Sequence, residues 1–146
     1  MRGACTLVVK DEKILMVKEF KGWNLITETA NDINGETLQG TAVRGVLEES
    51  GYAVELIGYL GDVDTVYKGE GLTIAIFLAR LKSGEERKIR EVGVERAEFM
   101  TAAEIWAIPQ DELRFPELVP LVLERWQTKK SLPLDWIIEI PRIGKY

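Results

Sequence analysis

Histidine is absent from this chain of 146 residues. That absence excludes a His-centred triad, a His-based zinc site and a His general base. Acid–base or metal work falls to Asp, Glu, Lys, Tyr or Cys5. Cysteine occurs once, so no internal disulfide can form and the chain fits a reducing compartment. There is no run of 18 or more apolar residues, and Met1-Arg2-Gly3-Ala4-Cys5 opens no long apolar core. Neither a membrane span nor a signal peptide is expected, and the cytoplasm is the default location. Basic residues are the minority charge, 19 Lys and Arg against 24 Asp and Glu, net −5. That argues against a broad duplex-binding surface, which needs clustered Lys and Arg. It leaves room for a small phosphorylated ligand, because a divalent cation screens carboxylates from phosphates.

What is present reads as one domain with an ordinary core: 46 % of the residues are apolar and 29 % charged. Residues 4–10 and 13–17 are β-rich on either side of Asp11-Glu12 and predict a hairpin. Residues 18–37 read as a long loop, a common home for function. Strands are expected at about 55–60, 63–67, 72–81 and 97–100. Turns are expected at 68–71 and at 83–88. Thr101-Ala102-Ala103-Glu104 has the form of a capping box opening a short helix. Leu118, Leu121, Val122 and Trp126 repeat at helical spacing within 116–127. The order of elements predicts an α+β fold, a mixed sheet between helices. Residues 1–127 form the domain. Residues 128–146 form an apolar tail, expected to pack on the body or on a second subunit, so a homodimer is a further expectation.

The helix expected over 37–50 carries Leu38, Ala42, Val43, Val46 and Leu47 at helical period, and Gly51 is placed to end it. Its polar residues are Arg44, Glu48 and Glu49, with Glu36 eight positions before Arg44. Arg44 has two candidate partners, Glu36 and, at i+4, Glu48. A Glu-Glu pair alone is most often a solvated surface. Here it falls near a helix C-terminus, where negative charge is unfavourable.

The run Arg44-Gly45-Val46-Leu47-Glu48-Glu49-Ser50-Gly51-Tyr52, with Glu36 before it, resembles the Nudix box, Gly-x5-Glu-x7-Arg-Glu-U-x-Glu-Glu-x-Gly-U, where U is a bulky apolar residue. The resemblance extends over about residues 3–127 and implies a Nudix-like α/β/α sandwich. It implies a divalent-metal-dependent hydrolase of a nucleoside diphosphate-linked compound, with Mg²⁺ or Mn²⁺ as cofactor and a nucleotide-like small molecule as partner. Glu48 and Glu49 are then the metal ligands, and Glu36 and Arg44 complete the catalytic set. Trp23 and Lys18 are candidates to meet base and phosphate. Glu91 and Glu95 are candidate acids near the substrate.

The chain departs from the pattern at three points. Ala30 stands for the first Gly. Gly45 stands for the Glu after the Arg, a carboxylate that the chemistry normally uses. Gly93 falls where a later Glu is common, with Glu91 and Glu95 flanking it. These departures keep a second reading open, a silent Nudix-fold module that binds a nucleotide or a protein without cleaving it.

Overall fold

The computed structural model describes residues 1–82 and 93–141. The turn expected at 83–88 lies outside the described residues. The sheet contains β1 (Arg2–Lys10), β2 (Lys13–Glu19), β3 (Gly22–Asn24), β4 (Ile26–Thr29), β5 (Val54–Tyr67), β6 (Glu70–Leu81) and β7 (Val94–Thr101). Its helices are α1 (Leu38–Ser50), α2 (Ala102–Trp106) and α3 (Leu118–Gln127). β1 is the central strand. It runs parallel to β6, from Arg2↔Thr73 to Val8↔Ala79, and antiparallel to β4 along one edge. Its end pairs with β2, which in turn pairs with β3 and β7.

A strand buried on both faces reads as a continuous apolar run, and Cys5 to Val8 in β1 is fully buried. The two-residue period divides it between two layers. Cys5 and Leu7 join Ile74, Ile76 and, from α3, Val119, Val122 and Leu123. Ala4 packs with Ala75, Phe77 and, from α1, Leu38 and Ala42. Val8 packs with Ile26, Ala79 and Val46 of α1. The sheet is therefore enclosed by α1 on one face and α3 on the other, the expected α/β/α sandwich.

The predicted long loop is corrected. Residues 22–29 form two short strands, because Ile26-Thr27-Glu28-Thr29 is β-prone and has a partner in β1, Cys5↔Thr27 among its pairs. The two strands expected at 55–60 and 63–67 are one, with register shifts at Gly58 and Gly61. Gly61 has φ 101°, so the bulge uses a conformation that glycine enters freely. The capping box at Thr101 and Glu104 is present.

The chain after α3 returns to the body. Tyr59 and Leu132 exchange two backbone hydrogen bonds of 2.8 Å. The Glu139 carboxylate accepts from the amides of Leu38 and, at 3.0 Å, Gln39, at the start of α1. Those amides have no partner within the helix, so a carboxylate there satisfies donors and suits the helix dipole. Among the described residues, no helix is long and apolar enough to cross a membrane.

Candidate functional site

α1 begins and ends on local chemistry. Thr37 is its N-cap, accepting from the Gly40 amide, and Gly51 is the left-handed C-cap at φ 79°. Just before it, Asn31 caps a single turn over Asp32–Asn34 that Gly35 closes at φ 68°. This brings Glu36 beside the helix. One Glu36 oxygen accepts from Arg44 Nε at 2.8 Å. The other accepts from Arg44 Nη2 at 2.9 Å, Thr41 Oγ1 at 2.8 Å and the Asn31 amide at 3.0 Å. A fork-on-carboxylate pair is a strong charge-assisted contact. It holds the Glu36 carboxyl down at about 2 and raises the Arg44 guanidinium further above its already high value.

Both candidate partners of Arg44 are used. Glu36 takes the fork, and Glu48 takes Nη1 at 3.2 Å. Arg44 Nη2 also donates to the Thr29 carbonyl at 3.0 Å, tying α1 to the end of β4. A third carboxylate shares the guanidinium: Glu28 Oε2 lies 3.8 Å from Arg44 Nη1. Burial, followed by repulsion from Glu48 and Glu36, pushes the Glu28 carboxyl above its ordinary range, against the attraction of Arg44.

Gly45 now has a structural reason. It is buried where α1 crosses β4, and a Cβ on it would lie 2.9 Å from Glu28 Cβ and 3.7 Å from an Ile26 methyl. The glycine lets helix and strand approach, at the cost of a helix-interior Gly. Gly45→Ala is therefore expected to destabilise. The propensity gain of up to about 1 kcal/mol is outweighed by overpacking of about 1–3 kcal/mol. Urea denaturation checks the sign; a gain in stability would show that the strand moves away freely. Gly93 has φ 96°, a conformation that a Glu would enter only with strain. Ala30 is buried against Leu38 and Ala42.

Glu49 is 3 % exposed and Glu48 is half-exposed, so neighbours in sequence occupy different environments. Glu49 and Glu28 both line a cavity of about 630 Å³, a volume typical of small-molecule sites. The wall continues through Tyr67, Phe115 and Arg114, with Val63, Leu72 and Leu118 as its apolar part. Tyr67 and Phe115 meet edge to face at 5.8 Å. Arg114 donates to Glu19 at 2.7 Å. The cavity thus joins carboxylates, an aromatic pair and a guanidinium.

Several expected site residues lie elsewhere. Trp23 is in β3, 8 % exposed and part of the core. Its ring is covered by Lys18 Nζ at 5.5 Å and the Arg96 guanidinium at 5.1 Å. It does not line the cavity, because an apolar ring at this position is worth more in the core than in a loop. Lys18 is engaged with that ring and does not line the cavity either. Glu95 is exposed on β7 and, among the described residues, takes no part in the Arg44 network. Glu91 lies outside the described residues. Conversely, the sequence reading missed Glu28, Arg114 and Phe115. The four-residue alternation Ile26-Thr27-Glu28-Thr29 could have placed Glu28 on the Ile26 side, facing the helix. Arg114 and Phe115 carried no comparable signal.

The donors suit a hard divalent cation, which takes carboxylate oxygens. A cationic nitrogen, Arg44 Nη1, already lies within 4 Å of oxygens of both Glu28 and Glu48. Among the described residues, no group of three Asp, Glu or Cys side chains is gathered ready to hold an ion. A Mg²⁺-like ion does not need one, since it keeps several waters and uses one or two carboxylates with substrate phosphates. Glu28 and Glu49, which line the cavity, are oxygen donors of the kind such an ion takes.

The comparisons with known proteins agree with this geometry. A family model described as NUDIX domain matches residues 1–122. The fold is similar to that of a NUDIX hydrolase from Nitrosomonas europaea, 22 % identical, with 96 % of this chain and 97 % of that chain covered and a TM-score of 0.86. It is also similar to an ADP-ribose pyrophosphatase from Streptococcus suis (18 % identity, 88 % and 90 % covered, TM-score 0.67). A third similar structure is the NUDIX domain of Shewanella oneidensis NrtR complexed with ADP ribose (17 % identity, 88 % and 87 % covered, TM-score 0.68). No curated protein matches the chain. The family model spans most of the sequence, the box residues Glu36 and Arg44 are joined as a fork, and the chain belongs to the NUDIX family.

Proposed function

We propose that this protein is a divalent-metal-dependent hydrolase of a nucleoside diphosphate-linked compound. The observation that carries the reading is the shared cavity: Glu49 of the box helix and Glu28 line the same space as Tyr67, Phe115 and Arg114. Members of the family act typically on nucleoside diphosphate derivatives and generally use divalent metal ions. The similar ADP-ribose pyrophosphatase and the similar NUDIX domain complexed with ADP ribose lend the reading a substrate class.

Glu48 and Glu49 would hold the ion, Mg²⁺ or Mn²⁺. Bound there, it would supply Lewis-acid polarisation of the pyrophosphate. The chain's own residues do the rest. Arg44 and Glu36 fix the helix against the end of β4, so the carboxylates keep their direction. Arg114 offers planar donors to a phosphate oxygen, at the expense of its pairing with Glu19. Tyr67 and Phe115 present ring surface for a base. The exposed apolar tail residues Trp136 and Ile138 make a homodimer part of the proposal.

The test is a panel of nucleoside di- and triphosphates, dinucleoside polyphosphates and nucleotide sugars, ADP-ribose included, with Mg²⁺ or Mn²⁺, read by ³¹P NMR. Metal-dependent appearance of monophosphate is the expected result. Gly45 in place of a carboxylate favours the second reading, a binding module without turnover. Ligand-induced rise in melting temperature with no cleavage anywhere in the panel would establish that reading and remove the first.

A further inference from the structure

Gly45 leaves α1 one carboxylate short of the box pattern, and the space above it is not empty. A Cβ built on Gly45 meets Glu28 Cβ at 2.9 Å and Glu28 Cγ at 3.4 Å. The side chain that fills the gap is itself a glutamate, arriving from β4. β4 is held at this place from both sides. It pairs with β1 through Ala4↔Glu28 and Thr6↔Ile26, and its Thr29 carbonyl accepts from Arg44.

Glu28 occupies the space that a side chain at position 45 would enter. Its Oε2 lies 3.8 Å from Arg44 Nη1, the nitrogen that Glu48 also approaches, at 3.2 Å. It lines the cavity beside Glu49. Its other oxygen, Oε1, accepts from the Thr29 amide at 3.1 Å, which orients the group. One arrangement explains two anomalies: a glycine inside a helix, and a partly buried glutamate on a strand.

We propose that Glu28 is the displaced third carboxylate of the site, an oxygen ligand for the divalent ion, donated by β4 in place of the residue at 45. The inference rests on the metal-dependent reading above. Glu28 takes that place ahead of Glu36 and Glu95. Glu36 is committed to the Arg44 fork, and Glu95 stands outside the network. A helix position and a strand position here compete for one volume, so the site holds a carboxylate from either but not from both.

The experiment measures Mn²⁺ binding by electron paramagnetic resonance in five proteins: wild type, Glu28→Gln, Glu48→Gln, Gly45→Glu, and the exchange variant Glu28→Gly with Gly45→Glu. Circular dichroism checks folding, and activity is not needed. Glu28→Gln is expected to bind Mn²⁺ at least about tenfold more weakly. The exchange variant is expected to recover most of that loss, while Gly45→Glu alone gains nothing. If the exchange variant does not fold, the near-isosteric Glu28→Gln decides alone. Unchanged Mn²⁺ affinity in Glu28→Gln, with affinity lost in Glu48→Gln, overturns this inference and leaves the hydrolase reading standing. Absence of Mn²⁺ binding in the wild type overturns both.

Discussion

Glu36→Ala is expected to destabilise the fold by about 2–3 kcal/mol, the scale for charge-assisted hydrogen bonds lost from a network. For a domain of this size that is a fall in Tm of about 5–10 °C. The carboxylate receives four hydrogen bonds of 2.8–3.0 Å, from Arg44 twice, Thr41 and Asn31. It therefore joins three segments: the capped turn, the first turn of α1 and the middle of α1. Its loss leaves Arg44 with Glu48, Glu28 and the Thr29 carbonyl. The same contacts set an acid limit. The folded carboxyl sits at about 2 against an ordinary 4.5. A depressed carboxyl contributes stability that is complete above about 4.5 and disappears as pH falls towards 2. Urea midpoints from pH 7 to 2.5 should converge between wild type and Glu36→Ala at the acid end. Parallel curves, or a neutral-pH difference below about 0.5 kcal/mol, would show that the network carries no net stability.

Glu48→Gln is the kinetic counterpart. Under the proposed function it is expected to lower kcat by about 100-fold or more, the scale on which metal stabilisation of developing charge acts. The fold should scarcely notice. Glu48 is half-exposed, and its pair with Arg44 is an i, i+4 contact worth about 0.3–0.5 kcal/mol. KM should change less than kcat, because an interaction made mainly in the transition state is the one removed. A full kcat with raised KM would recast Glu48 as a substrate contact. Unchanged kinetics, with an unchanged metal requirement, would reduce it to a surface partner of Arg44.

The parts of this protein that were legible in its sequence are those whose cause is local. Glu36 and Arg44 lie eight residues apart across one helix entry, and Gly51 and the Thr101–Glu104 box act within a turn. Each could be placed without knowing the sheet. β4 could not. Its four residues offer only two alternations, and its partners are twenty or more positions away. With β4 hidden, Glu28 was one more polar residue in a loop, and the reason for Gly45 was hidden too. Trp23 misled for the same cause: an aromatic beside polar residues reads as exposed until β2 and β3 are paired around it. Arg114 and Glu19 are 95 positions apart, and no periodicity connects them.

The central place of β1 has a consequence for the order of events during synthesis. β1 is synthesised before every other strand of this sheet, and the rest of the sheet is built on it. β2 starts at Lys13 and β4 at Ile26, but the parallel neighbour begins only with Arg2↔Thr73. At translation speeds of roughly 5–20 residues per second, β1 waits about 4–14 seconds for β6. Through that interval one edge of an almost wholly apolar strand, Ala4 to Val8, has unpaired amides and carbonyls. The nascent chain is thus most open to strand-to-strand association before α3 exists to cover Cys5 and Leu7, and a chaperone that engages early segments would act there.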